Sequence, residues 1–160
     1  MYITHLRTQI AKEHEKLRSA TANSKSNIIH LYRGLKLTKG EINQMLDNIG
    51  RLVSMNGFFS TSRDIDQAVR FATKSSQRSD AIGVLLEIDG DVNMDKMIFA
   101  DIAQFSAYPK EQEVLFDLGT IFKIVHVEFD KTKNLWVMQL SGLIENKYAY
   151  HSSLIIVTSL

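Results

Sequence analysis

Ile3, Leu6, Ile10 and Leu17 recur on one helical face among Lys12, Glu13, Glu15, Lys16 and Arg18, which predicts an amphipathic N-terminal helix over residues 1–22. The small polar run Thr21-Ala22-Asn23-Ser24-Lys25-Ser26-Asn27 ends it as a linker. Ile28 to Tyr32 reads as a short strand that stops at Arg33-Gly34. Thr38-Lys39-Gly40-Glu41 has the form of a capping box, and Ile42, Met45, Leu46 and Ile49 follow at helical spacing up to Gly50. Gly57 to Ser62 predicts the next strand. Asp64 then caps a third helix that turns Ile65, Ala68, Val69 and Ala72 inward.

Beyond the polar loop Ser75 to Asp80 the period changes to two. Ile82, Val84, Leu86 and Ile88 alternate as a strand, and the apolar Leu85 between them implies that both faces are covered. Asp89-Gly90-Asp91 reads as a turn. Ile121 to Phe129 and Leu135 to Leu140 form an antiparallel pair around Asp130 to Asn134, and Leu154 to Val157 is short enough for a buried strand. Helices early and strands late argue for an α+β fold rather than a doubly wound parallel sheet.

The chain has 160 residues, 44% hydrophobic and 23% charged, which fits one globular domain, residues 1–160, with its core over 28–142. A formal net charge of +1 gives no reason to expect nucleic acid or an acidic membrane as partner. The absence of cysteine excludes a disulfide framework and a thiolate metal site, and it favours a reducing compartment. The N-terminus is amphipathic and charged without a signal-peptide core, so a cytoplasmic location is expected. Histidines 5, 14, 30, 126 and 151 lack ligand spacing, and no metal site is expected.

Candidate chemistry concentrates in three short segments. Glu111-Gln112-Glu113 leads into the apolar stretch Val114-Leu115-Phe116. In a strand, residues i and i+2 project the same way, roughly 6.5–7 Å apart, so Glu111 and Glu113 are expected to face one space. Two carboxylates so placed can divide labour, one stabilising a developing cation and the other accepting a proton. Arg33-Gly34 joins a planar, permanently charged fork to a residue that lets a ligand approach the backbone. Ser60 and Ser62 share a strand face, with Thr61 on the other. Each motif alone is weak, since surface arginines and hydroxyl runs are common.

In order, Arg33, Ser60-Thr61-Ser62 and Glu111-x-Glu113 are far more specific. Together with Phe105-Ser106 and the Ala68…Phe71-Ala72 helix, they resemble the arginine–serine–glutamate class of mono-ADP-ribosyltransferases, which includes the vertebrate ecto-enzymes and cholera-toxin-like toxins. The resemblance covers about residues 28–142 and is nearest to the arginine-specific enzymes. It implies a split β-sandwich with N-terminal helices flanking an NAD cleft, NAD as co-substrate, and a protein acceptor with an exposed arginine. Arg33 would contact the phosphates and ribose, and Gly34 would present its backbone to the nicotinamide amide. Ser60, with Thr61 and Ser62 beside it, would hold the nicotinamide ribose and position Glu113. Glu113 would stabilise the oxocarbenium-like state as nicotinamide leaves. Glu111 would deprotonate the acceptor guanidinium, with Tyr108 packed on it.

Two other readings share the scaffold. An NAD glycohydrolase would use water as acceptor, which leaves Glu111 without a task. A non-catalytic binding module would keep the fold alone. Arg63 and Arg70 are within reach of a pyrophosphate, Asp101 precedes the glutamate loop and could orient it, and Phe58, Phe59 and Phe71 read as core.

Overall fold

The computed structural model describes residues 2–55, 57–94, 97–142 and 154–157. Its helices are α1 (Tyr2–Thr21), α2 (Lys39–Leu46) and α3 (Ile65–Thr73). Its strands are β1 (Ile28–Leu37), β2 (Leu52–Met55), β3 (Phe59–Ser62), β4 (Ile82–Asp91) and β5 (Phe99–Asp101), then β6 (Glu113–Phe116), β7 (Ile121–Asp130), β8 (Leu135–Ser141) and β9 (Leu154–Val157). Among the described residues the strands run β5-β6-β3-β1-β4-β8-β7-β2-β9. The α+β class is as expected. His151 and the side chains of Leu154–Val157 lie outside the described residues.

The sheet is hinged. β1 pairs with β4 along its whole length, but with β3 only at Tyr32 and Ser62. Across that hinge the three-stranded part, β5-β6-β3, folds back over the larger part. Phe59 on β3 and Phe116 on β6 lie 6.2 and 5.3 Å, ring to ring, from Phe122 on β7, four strands away from β3 in the order. Such contacts need two layers face to face, so the ladder is continuous and the shape is a split sandwich. Leu31, Leu86, Ile88, Val114, Phe99 and Ile124 complete this shared core.

A second, smaller core forms on the outer face of β4. Leu85 packs there with Leu135 and Val137 under Ala68 and Ala72 of α3. The unbroken Val84-Leu85-Leu86 run is therefore a strand covered on both sides, as the sequence predicts.

Several boundaries move. β1 continues through Arg33-Gly34 to Leu37 because each residue has a partner on β4, so Arg33 sits mid-strand and not at an end. Asp89-Gly90-Asp91 is the end of β4, not a turn; Gly90 pairs with Ile29, and a Cβ there would press within 3.2 Å of the Phe99 ring. α2 ends at Leu46, so Ile49 is exposed, and Gly50 (φ +89°) serves the turn behind it. β2 and β5 are too short to carry a period, and both escape sequence reading. In α1 only Ile10, His14 and Leu17 reach the core. Ile3 is exposed because the helix meets the sheet at β5, where His14 Nδ1 lies 2.9 Å from the Phe99 carbonyl.

The capping box is present. Glu41 N–H donates to Thr38 Oγ1 (3.2 Å) and Thr38 N–H to Glu41 Oε1 (3.0 Å). Thr38→Ala should cost about 1 kcal/mol, read as a fall of about 2–4 °C in the thermal midpoint. A midpoint unchanged from the parent would mean that the cap contributes nothing.

Candidate active site

The hinge between β1 and β3 opens a cavity of about 240 Å³, walled by β1, β3, the start of β6 and one face of α3. Arg33 enters it from β1. Its guanidinium lies 4.8 Å above the Phe59 ring, and its Nη1 donates to the Ser60 carbonyl at 2.8 Å. Its Nε is buried without a partner among the described residues. Burial pulls the guanidinium below its ordinary pKa, yet arginine remains charged at neutral pH. A fixed cation with an unused donor is suited to an anionic ligand group.

Ser60 connects this cation to an acid. While its carbonyl accepts from Arg33, its Oγ donates to Glu113 Oε1 at 2.6 Å. The β3–β6 ladder sets that distance, with Ser60 opposite Leu115 and Ser62 opposite Glu113. Glu113 Oε2 has no protein partner among the described residues and remains available to a ligand hydroxyl. Thr61 and Ser62 do other work. Thr61 Oγ1 donates to the Val114 carbonyl at 2.8 Å, and Ser62 Oγ donates to the Glu111 carbonyl and accepts from Asp64 N–H. Both side chains are buried, so they hold the walls of the cavity and leave Ser60 as the hydroxyl on the acid.

The expectation for the two glutamates is right in outcome and wrong in cause. Glu111 is not in the strand: it ends a 3₁₀ turn, Pro109–Glu111, and β6 starts only at Glu113. Between them Gln112 is left-handed (φ +47°, ψ +49°), an uncommon state for a residue with a side chain. That turn, not strand alternation, brings both carboxylates to the same cavity. Glu111 is half-buried and its carboxylate has no protein partner among the described residues.

Gly34 lines the cavity and also meets a packing demand of its own. A Cβ there would overlap the Ala68 carbonyl oxygen and lie 2.7 Å from Ala72 N, so the glycine lets α3 rest directly on β1. Gly83 on β4 does the same under Ala72. This close seat brings Gln67 and Phe71, one helical turn apart, to the cavity wall. Phe71 is half exposed there, whereas Phe59 is buried beneath Arg33; sequence reading assigned both to the core. The i, i+4 spacing of Gln67 and Phe71, off the Ala68/Ala72 face, was the available signal.

Tyr108 is 69% exposed and lies outside the cavity lining. Its carbonyl accepts from Glu111 N–H at 3.0 Å across one tight turn. Arg63 pairs with Asp101 at 3.1 Å and keeps a buried Nε without a partner among the described residues, Arg70 Nε donates to Asp66 O on its own helix, and neither residue lines the cavity. Among the described residues no group of three or more histidine, aspartate or glutamate side chains could hold a metal, and no helix is long and apolar enough to cross a membrane.

Chemically, the cavity offers a cation for a phosphate, an aromatic face for a flat ring, and a hydroxyl-oriented carboxylate for a sugar. A second carboxylate, that of Glu111, lines the same cavity. A family model described as ADP-ribosyltransferase exoenzyme matches residues 3–145. Among solved structures, the chain is 22% identical to the ADP-ribosyltransferase Vis, a toxin from Vibrio splendidus solved in complex with agmatine, over 91% of this chain and 63% of that one (TM-score 0.61). It is 20% identical to the ADP-ribosyltransferase HopU1 of Pseudomonas syringae pv. Tomato DC3000, over 71% and 45% (TM-score 0.56). Exoenzyme S of Pseudomonas aeruginosa, solved with human 14-3-3 protein beta and carba-NAD, is 16% identical over 87% and 61% (TM-score 0.54). At these identities the likeness establishes the fold. The chain spans less than two thirds of each of these structures. No curated protein matches it.

Proposed function

The chain belongs to the ADP-ribosyltransferase exoenzyme family, and from that premise we propose that it transfers ADP-ribose from NAD to the guanidinium of an arginine on a protein acceptor. The observation that carries the reading is the Ser60–Glu113 hydrogen bond, in a cavity that also holds Arg33 and Glu111. Arg33 binds the dinucleotide phosphates, and the Phe71 ring covers the nicotinamide. Glu113 Oε2 accepts from a hydroxyl of the adjoining ribose. The bond from C1′ to the pyridinium nitrogen then breaks, and its electron pair leaves with neutral nicotinamide. Positive charge develops on the sugar, where the Glu113 carboxylate opposes it. A guanidinium nitrogen bonds to C1′ as Glu111 takes its proton, because an arginine is protonated at neutral pH and is no nucleophile until that proton is removed.

Arginine as acceptor is supported by Glu111, a second carboxylate in the cavity that attack by water would not require. The agmatine held by Vis is itself a guanidine, which fits the same choice. Labelled NAD and agmatine test the proposal. The parent should label agmatine, and Glu111→Gln should lower that product by about 100-fold while ADP-ribose release continues. Free ADP-ribose alone from the parent would mean a glycohydrolase, and no nicotinamide release a binding module.

A further inference from the structure

The segment that carries Glu111 leaves the sheet after Asp101 on β5 and returns at Glu113 on β6. Because β6 lies between β5 and β3, the first residue past β3, Arg63, borders the returning end. Arg63 N–H donates to the Gln112 carbonyl at 3.1 Å. Its guanidinium reaches across β6 to the departing end, where Nη2 meets Asp101 Oδ2 at 3.1 Å. The other Asp101 oxygen accepts from Ala103 N–H at 3.1 Å, and Ile102 N–H donates to the Glu113 carbonyl at 3.0 Å. One arginine is thus tied to both ends of the glutamate segment, through its main chain at one and through Asp101 at the other.

The pair is half-buried, with side chains 34% and 40% exposed and Arg63 Nε buried without a partner among the described residues, and solvent screening leaves it only a modest share of global stability. Its position gives it another use. Gln112 holds an uncommon left-handed conformation between the two glutamates, and both of them line one cavity. A slack stem would let Gln112 relax and carry the Glu111 carboxylate away, while Glu113, paired within the β3–β6 ladder, would stay.

We propose that Arg63 and Asp101 are positioning residues: a clasp across β6 that holds Glu111 at a fixed distance from Glu113. The clasp serves acceptor deprotonation and leaves cleavage of the nicotinamide bond untouched. This inference rests on the transferase reading above.

Asp101→Asn keeps an oxygen for Ala103 N–H and removes the charge, so it loosens the clasp with the least disturbance. With labelled NAD and agmatine, this variant and Arg63→Gln should lower the ratio of labelled agmatine to free ADP-ribose by about 10- to 100-fold. KM for agmatine should rise and KM for NAD should hold. The exchanged pair, Arg63→Asp with Asp101→Arg, should recover part of the ratio. Equal loss of both products would reduce the pair to a structural role, and a raised KM for NAD would make Arg63 a phosphate ligand; either overturns the clasp. Amide hydrogen exchange keeps the two proposals separable. Should the parent label no agmatine, the transferase reading fails by itself, whereas the clasp still requires faster exchange across residues 103–112 in Asp101→Asn and no change in β7 and β8. Unchanged exchange there sinks the clasp.

Discussion

Glu113→Gln should all but abolish nicotinamide release, with a fall on the order of 1,000-fold, and leave dinucleotide binding nearly intact. The substitution is almost isosteric. A glutamine oxygen can still accept from Ser60 Oγ, so the Arg33–Ser60–113 chain of contacts survives, and only the charge is lost. That charge matters less to the ground state, where the positive charge is spread over the pyridinium ring, and most when the glycosidic bond stretches and the charge passes to the sugar. The defect should therefore fall on kcat, with KM for NAD changed less than about threefold, and both transfer and hydrolysis should vanish together. Steady-state nicotinamide release at saturating NAD measures it. A variant that retains a tenth of parental kcat would mean that the carboxylate at 113 does not face the reacting carbon.

Gly34→Ala, one methyl away from the native chain, should be nearly as damaging. The new Cβ meets helix backbone, the Ala68 carbonyl and Ala72 N, and backbone cannot rotate aside as the end of a side chain can. The helix must lift from β1 or the strand must yield. Either loosens the second core, where Ala68 and Ala72 pack on Leu85. We expect a cost of about 3 kcal/mol, near the upper end for overpacking, and a thermal midpoint lower by about 10 °C. Because α3 also brings Gln67 and Phe71 to the cavity, the folded fraction should have a KM for NAD raised about tenfold. Thermal unfolding and NAD titration at low temperature separate the two effects. Parental values in both would place the Gly34–α3 contact outside the energetics of the site.

The two predictions draw on different kinds of legibility. Glu113, Ser60 and Arg33 are recognisable in the sequence because their chemistry depends on residue type and order, and the fold only brings together what the motif names. Gly34 was also singled out there, but for a ligand's approach; its contact with α3 depends on a helix that arrives 30-odd residues later. Phe71 and Phe59 look equivalent as letters. One lies under a guanidinium and the other on a cavity wall, and nothing local separates them. β2 and β5 are invisible for a related reason, since strands of three or four residues hold their conformation through their partners, β7 and β9 for β2 and β6 for β5, rather than through a period of their own.

By itself the sequence determined the α+β class, the principal helices, the two-sided strand at Val84–Leu86 and the residues that carry charge to the site. These follow from periodicity and side-chain chemistry, which each residue carries wherever the chain goes. Only the tertiary structure decided how the sheet folds at Tyr32–Ser62, which hydroxyl of Ser60-Thr61-Ser62 faces the acid, and that Glu111 reaches the cavity through a left-handed turn. Those outcomes are distances between residues far apart in the chain, set by which strands pair and which backbones touch, and no local pattern encodes them.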